Sequence, residues 1–431
     1  MKLSDALWRL SEWALNHPMR ARLAYLDTAQ WWDLERIRAE QRLALDNLFK
    51  HLHEHPAWAA TYIQLDGFPL CGKSDLNRIF SSTPKRRGMY AVSSSGSTGT
   101  NTRVWCDLPT AARYRACFML ALQWAGWKIG EPHIQTGMNV RRGLLRRAKD
   151  TFLRTSYVSC LNLTDNAMAQ TLSLMEKRRI QHLWGYPAAL WTLAQFAQSQ
   201  GWNIPLKTVI SWGDNLYGHY REKIETVFRC RIHDTYGIGE GVQIAAQCGE
   251  GNHYHIHALD VVLEAVGDDD HPVPVGTLGH GVVTRLHPGP MPLVRYKMGD
   301  LVRLSDESCP CGRGLPLMQA IEGRDTDLIV TPSGKVLIVH FFTGILEYVP
   351  WLDSFQIHQN EPDELLIQVK PISDWQTSFE TEITQLLRDH GLTDMRLVVE
   401  NVEQFSVSPS GKRRFVVNHL APTQRANLQQ S

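Results

Sequence analysis

"SSSGSTGTNTR", residues 93–103, is the stretch on which the reading turns. All but Asn101 and Arg103 are Ser, Thr or Gly. Glycines at 96 and 99 let the backbone approach an anion and take positive φ. The hydroxyls of Ser93, Ser94, Ser95, Ser97, Thr98 and Thr100 add donors, and successive amides can form an anion-binding nest. No Lys follows the second Gly, so this is not the GxxxxGK[ST] loop. Taken alone, the residues fit a solvated Ser/Gly loop and a phosphate-wrapping loop equally well. The stretch lies between a strand candidate, "GMYAV" (88–92), and a helix expected to begin near Thr110.

Outward from that loop, residues 88–320 alternate short β-rich runs with helical stretches. "KTVISWG" (207–213), "RIHDTYG" (231–237) and "LGHGVVTRL" (278–286) read as strands; "TAARYRACFMLALQWAG" (110–126) and "DNAMAQTLSLMEKRRI" (165–180) read as helices. That texture is α/β. The first 55 residues read as helical: Leu3, Ala6, Leu7, Leu10 and Ala14 share a face, as do Leu34, Ile37, Leu45, Leu48 and Leu52. Past "IEGR" (321–324) the pattern becomes a small α+β module. Its strands are expected in "DLIVTP", "KVLIVH", "SFQIHQ", "ELLIQVK" and "MRLVVENV", with a helix over "TSFETEITQLLRDHG" and a frayed tail over the last dozen residues. The expectation is a large N-terminal α/β domain, 1–323, with mixed sheets and helices, and a small mobile C-terminal domain, 324–431.

Basic residues number 45 and acidic ones 44, so no overall field draws in nucleic acid or an anionic membrane. No apolar run approaches the roughly 20 residues of a membrane span, and the start has no signal-peptide pattern. The expectation is a cytoplasmic protein in which eight Cys serve as reduced thiols or metal ligands.

Four further segments follow the Ser/Thr/Gly loop in order: "TYGIGEG" (235–241), "PLVRYKMGDLVRL" (292–304), "IEGRDTDLI" (321–329) and "SPSGKRRF" (408–415). The series resembles the adenylate-forming superfamily. "GYPAAL" (185–190), "SWGDNL" (211–216) and "CPCGR" (309–313) resemble its phenylacetate-CoA ligase branch, which includes ligase-like proteins of capsule biosynthesis. The resemblance implies ATP-dependent conversion of a carboxylic acid to acyl-AMP, then acyl transfer to a thiol such as CoA. Alternative acceptors are an amine or a carrier protein, or AMP passes to a cofactor; a degenerate, non-catalytic nucleotide-binding protein is a further alternative.

By the same resemblance, Ser95, Gly96, Ser97, Thr98 and Gly99 match the loop over the β- and γ-phosphates of ATP. Thr100 and Asn101 stand where relatives often have Lys and Pro. Tyr236 and Gly237 match the adenine-binding segment, Gly213 and Asp214 the stretch beneath the base, and Glu240 the Mg2+ carboxylate. Asp300 matches the ribose-binding carboxylate, whose two oxygens suit a vicinal diol, and Arg324 a second ribose or phosphate contact. The hinge follows at 325–327. Lys412 matches the lysine that reaches the reacting carboxylate and α-phosphate. An aromatic-rich pocket of Trp184, Tyr186, Trp212 and Tyr236 would suit an aryl acid.

Cys248, Cys309 and Cys311 with a nearby imidazole supply the donors of a tetrahedral structural Zn2+ site, although neither spacing is the common CxxC. The resemblance favours His255 as the fourth ligand, with His253 its rival. Cys71, Cys106, Cys117, Cys160 and Cys230 read as core thiols. The basic run Arg141–Arg154 reads as a solvated helix face, or as a docking patch for CoA phosphates or an acidic carrier.

Overall fold

The computed structural model describes residues 19–53, 65–93, 102–137, 143–159, 163–324, 329–333, 335–337, 339–346, 349–406, 414–421, 424 and 428. Residues 95–99, the hinge at 325–327, Lys412, Cys160, the first 18 residues and most of the last dozen lie outside them. The chain divides into two compact units. Among described residues the first holds 19–93, 102–298 and 302–320; the second holds 299–301 and the residues from 321 onward.

In the first unit, α1 (Met19–Ala29) and α2 (Leu34–His53) bear out the helical reading of residues 19–53. α1 buries Met19, Leu23 and Leu26, one face at helical spacing. After α3 (Lys73–Ser82), β1 (Tyr90–Ser93) pairs antiparallel with β2 (Arg103–Cys106), Ser93 opposite Arg103. The Ser/Thr/Gly loop therefore joins the arms of a hairpin. After the loop the chain returns as β2, a strand not expected from the sequence, and α4 (Leu108–Trp124) then begins two residues before Thr110, near where a helix was expected. Asp107 caps α4 by accepting the Thr110 amide at 2.9 Å. The hairpin rests on α3 through Trp105, whose ring stacks 4.4 Å from Phe80.

Among the described residues the main sheet has eleven strands in the order β10-β11-β12-β13-β9-β8-β7-β6-β5-β3-β4. Its parallel half comprises β3 (His133–Gly137), β4 (Thr155–Ser159), β5 (His182–Gly185), β6 (Thr208–Trp212) and β7 (Ile232–Ile238). β5 is buried at every residue and β6 at all but its last, as expected of parallel strands covered on both faces. The other half comprises β8 (Val242–Gln247), β9 (Tyr254–Ile256), β10 (Val261–Val266), β11 (Leu278–Arg285), β12 (Tyr296–Ser305) and β13 (Leu317–Arg324), with β7–β8, β8–β9, β9–β13 and β10–β11 paired antiparallel. α4, α1 and the sheet share one core containing Leu120, Leu122, Trp124, Trp127, Trp184 and Ile210.

In the second unit, β14 (Ile329–Val330) and β15 (Val336–Leu337) form a short pair, followed by helix α5 (Val339–Leu346). The expected strand "KVLIVH" thus ends at Leu337; a short apolar run does not separate strand from buried helix by periodicity. A four-stranded sheet, order β18-β17-β16-β19, follows from β16 (Leu352–Glu361), β17 (Glu364–Pro371), β18 (Arg396–Asn401) and β19 (Val416–Asn418). Helix α6 (Thr377–Asp389) buries Phe379, Ile383 and Leu387 at i, i+4 and i+8.

Candidate active site and metal centre

Three neighbouring parallel strands end in residues that the sequence singles out. Tyr186 follows β5, Gly213 and Asp214 follow β6, and Tyr236 and Gly237 close β7. In open α/β sheets, ligands bind in the crevice outside such carboxyl ends. Gly213 takes φ +75°, and a Cβ there would lie 2.8 Å from Cε1 of Tyr186, so the "GYP" and "SWGD" segments meet at this glycine. Asp214 is exposed. Tyr236 is buried, its hydroxyl 3.7 Å from Sδ of Met298. A β-bulge falls between Tyr236 and Gly237, which re-aims the strand end, and Gly237 is exposed.

Glu240 lies in the β7–β8 turn and is buried. Its Oε1 accepts the Tyr296 hydroxyl at 2.9 Å. Burial and the adjacent Glu240 charge raise the Tyr296 pKa well above its ordinary value, keeping the phenol a proton donor. Thr102, the first described residue after the Ser/Thr/Gly loop, is buried and also neighbours this phenol. The exit of the loop and the expected Mg2+ carboxylate therefore meet at one side chain, which sequence reasoning missed; Tyr296 lies inside the 292–304 segment, 56 residues from Glu240, but only Asp300 was singled out there. A buried carboxylate is a fitting hard-oxygen donor for Mg2+.

Asp300 lies in β12, half-buried, and the backbone of Arg324 ends β13. Lys412 belongs to segment 407–413, whose two bounding residues are described. Gln356, buried in β16, donates through Nε2 to the Ser406 carbonyl at 3.1 Å and the Arg414 carbonyl at 2.8 Å. Its Oε1 accepts the Ser406 hydroxyl at 2.8 Å and faces Nε2 of His358 at 3.1 Å. One carboxamide thus ties both ends of the lysine segment, a role invisible to motif spacing.

The aromatic-pocket expectation is corrected at Trp184. Its ring belongs to the core, stacked 3.7 Å from His133 and edge-on to Trp127 at 4.8 Å. Trp212 packs against Phe118, centroids 5.7 Å apart. Packing therefore occupies two of the four rings.

Cys248, His255, Cys309 and Cys311 place their four donor atoms within 4.8 Å of one another. Cys248 Sγ lies 3.6 Å from Cys309 Sγ, and Cys311 Sγ lies 3.3 Å from His255 Nε2. Thiolates about 2.3 Å from a tetrahedral ion stand roughly 3.8 Å apart, so the donor set fits such an ion. Burial pushes His255 down to about 4, leaving the imidazole neutral and able to ligate, and pushes Cys248 up to about 12. His253 is not in the quartet; its Nε2 lies 3.6 Å from a Glu307 carboxylate oxygen. Cys71, Cys106 and Cys117 are buried, as expected, and Cys230 partly so. No helix among the described residues is long and apolar enough to cross a membrane.

Residues 329–419 match a family described as the CapK C-terminal domain. A phenylacetate-coenzyme A ligase of Pseudomonas putida is 23% identical over 371 residues, spanning 80% of this chain and 81% of the relative. Protein CapK of Staphylococcus aureus is 20% identical over 380 residues, spanning 84% and 81%. The crystal structure of 2-hydroxyisobutyryl-CoA ligase in the postadenylation state with 2-HIB-AMP superposes with TM-score 0.70 at 20% identity, covering 92% of this chain and 93% of that one. That last likeness is one of fold: a mixed α/β architecture with a small C-terminal domain.

Proposed function

We propose that this relative of the phenylacetate-coenzyme A ligases and of CapK activates a carboxylic acid with ATP and passes the acyl group to a thiol, with CoA as acceptor. In the first step a carboxylate oxygen attacks the α-phosphorus, the bond to the bridging oxygen breaks and pyrophosphate leaves. In the second, a thiolate attacks the acyl carbon and AMP departs. The observation that carries the reading is the convergence at the carboxyl ends of β5, β6 and β7, where Tyr296 joins Glu240 to the exit of the Ser/Thr/Gly loop.

In this reading Ser95–Gly99 hold the β- and γ-phosphates by amides and hydroxyls. Gly213, Asp214, Tyr236 and Gly237 take the base, and Asp300 and Arg324 take the ribose. Glu240 would hold Mg2+, which supplies positive charge against the polyphosphate when bound. Lys412 neutralises charge developing between carboxylate and α-phosphate, and the small domain, 324–431, turns about 325–327 between half-reactions. Cys248, His255, Cys309 and Cys311 would hold a structural Zn2+, since four protein donors leave no open position. An amine or a carrier-protein thiol is the second class of acceptor, and the cytoplasm the expected compartment.

Acid-dependent exchange of labelled pyrophosphate into ATP, run over a panel of carboxylic acids, tests the proposal without knowledge of the acceptor. Exchange with at least one acid is expected. No exchange with any acid, despite measurable ATP binding, would point to a non-catalytic nucleotide-binding protein.

A further inference from the structure

The turn bearing Glu240 has a second side. Residues 241–243 line a small, partly open recess, walled by Thr110 and Arg113 of α4 and by Asp260, Arg285 and His287. All of these belong to the first unit.

Arg285 is buried, and its guanidinium donates to the carbonyls of His287 (3.0 Å), Pro288 (3.1 Å) and Met291 (2.5 Å). Among the described residues it forms no ion pair. Burial accordingly lowers its pKa, with Cys106 and Asp107 pulling the other way from nearby. A buried charge without a counter-charge is costly. The Thr110 hydroxyl is also buried and has no hydrogen-bond partner among the described residues. The two groups share a corner: a Cβ on Gly289, which takes φ +58°, would lie 2.5 Å from Thr110 Oγ1 and 3.2 Å from Arg285 Nη2. A side chain there would close the corner, and glycine keeps it open.

Arg113 adds a second guanidinium, 36% exposed, 3.2 Å from Asp260. Asp260 is already held by Arg22 at 2.8 Å and by the Cys117 thiol at 3.3 Å. Asp107 accepts the Thr110 amide as helix cap. Among the described residues lining the recess, two guanidinium groups, Arg113 and Arg285, therefore face one carboxylate, Asp260. Burial pushes His287 down to about 4, so at neutral pH it offers hydrogen bonds and no charge.

We propose that this recess is an oxyanion subsite, built by Arg285, Arg113 and Thr110 behind the Glu240 turn, for a phosphate or carboxylate group. Two sources offer that chemistry: the pyrophosphate end of ATP, or a second carboxylate on the acid. The first would compensate for Thr100 and Asn101 in a loop that lacks a lysine. The choice of source rests on the adenylation reading; the subsite does not.

Calorimetric titration of the full chain with inorganic pyrophosphate, and separately with succinate against butyrate, tests it in wild type, Arg113→Met and Thr110→Val. Loss of a charged hydrogen bond should weaken the bound anion about tenfold in Arg113→Met, with unchanged melting temperature. If Arg113→Met melts lower, Thr110→Val serves as the readout, since it removes only the orphan hydroxyl. A loss for pyrophosphate assigns the phosphate source. A loss for succinate, with butyrate unaffected, assigns a dicarboxylic acid. Anion binding indifferent to both variants overturns the subsite. Failure of pyrophosphate exchange with every acid, alongside variant-sensitive anion binding, would remove the adenylation reading and leave the subsite standing.

Discussion

Cys309 offers one of three sulfurs to the cluster and lies 3.6 Å from Cys248. Cys309→Ser replaces a soft donor by a hydroxyl that zinc binds poorly, so the metal content of purified protein should fall from about one ion per chain to well below half. Elemental analysis reads this directly, and wild type free of zinc would contradict the assignment. Melting temperature should drop with the metal, because binding to the folded state alone is stabilisation. The three sulfurs and the need for an imidazole beside them were legible because few residue types bind soft metals. The choice between His253 and His255 was not. It depends on β9, where His255 pairs with Leu317 in β13, six residues past Cys311. The Tyr296–Glu240 hydrogen bond was illegible for a similar reason: the register of distant strands creates it.

Among the elements, β16 carries the least expected part of the machinery. Gln356 holds Ser406 and Arg414, the residues bounding the Lys412 segment. Gln356→Leu should lower acid-dependent pyrophosphate exchange about tenfold, the worth of a pair of buried hydrogen bonds, while transfer from preformed acyl-AMP stays within about twofold. Lys412→Ala should show the same split more strongly. Equal losses in both half-reactions, with melting unchanged, would show that Gln356 does not position the lysine. Of the main sheet, β6, β7 and β11 were readable from their β-rich runs, and α4 and α6 from length and periodicity. β19 was missed because three residues carry no period, and α5 because its apolar run reads equally well as strand.

Over the whole molecule, buried histidines set the acid limit of stability. Burial pushes His133, His233, His257 and His287 down to about 4 from an ordinary value near 6.5. Between those values the unfolded chain binds more protons, so stability is full above pH 6.5 and is lost as pH falls toward 4. Asp234 opposes them. Burial raises it to about 6, despite hydrogen bonds from Ser211 and Tyr254, so its contribution weakens as pH rises from 3.8 to 6. Denaturant unfolding should show stability falling from pH 6.5 to 4.5, and falling more steeply in Asp234→Asn. A flat profile would contradict the burial of neutral imidazoles. A shift of texture after residue 320 was visible in the sequence, yet which segments converge on Glu240 was not, since sheet order brings β12 to the site from far along the chain.

The central claim concerns one bond, from a carboxylate oxygen to the α-phosphorus of ATP. An acid that supports exchange, labelled with 18O in its carboxylate, should be turned over with ATP and CoA and the nucleotide products analysed by mass spectrometry. The account predicts AMP carrying one labelled oxygen for each thioester formed. Unlabelled AMP, or ADP in place of AMP, would contradict it.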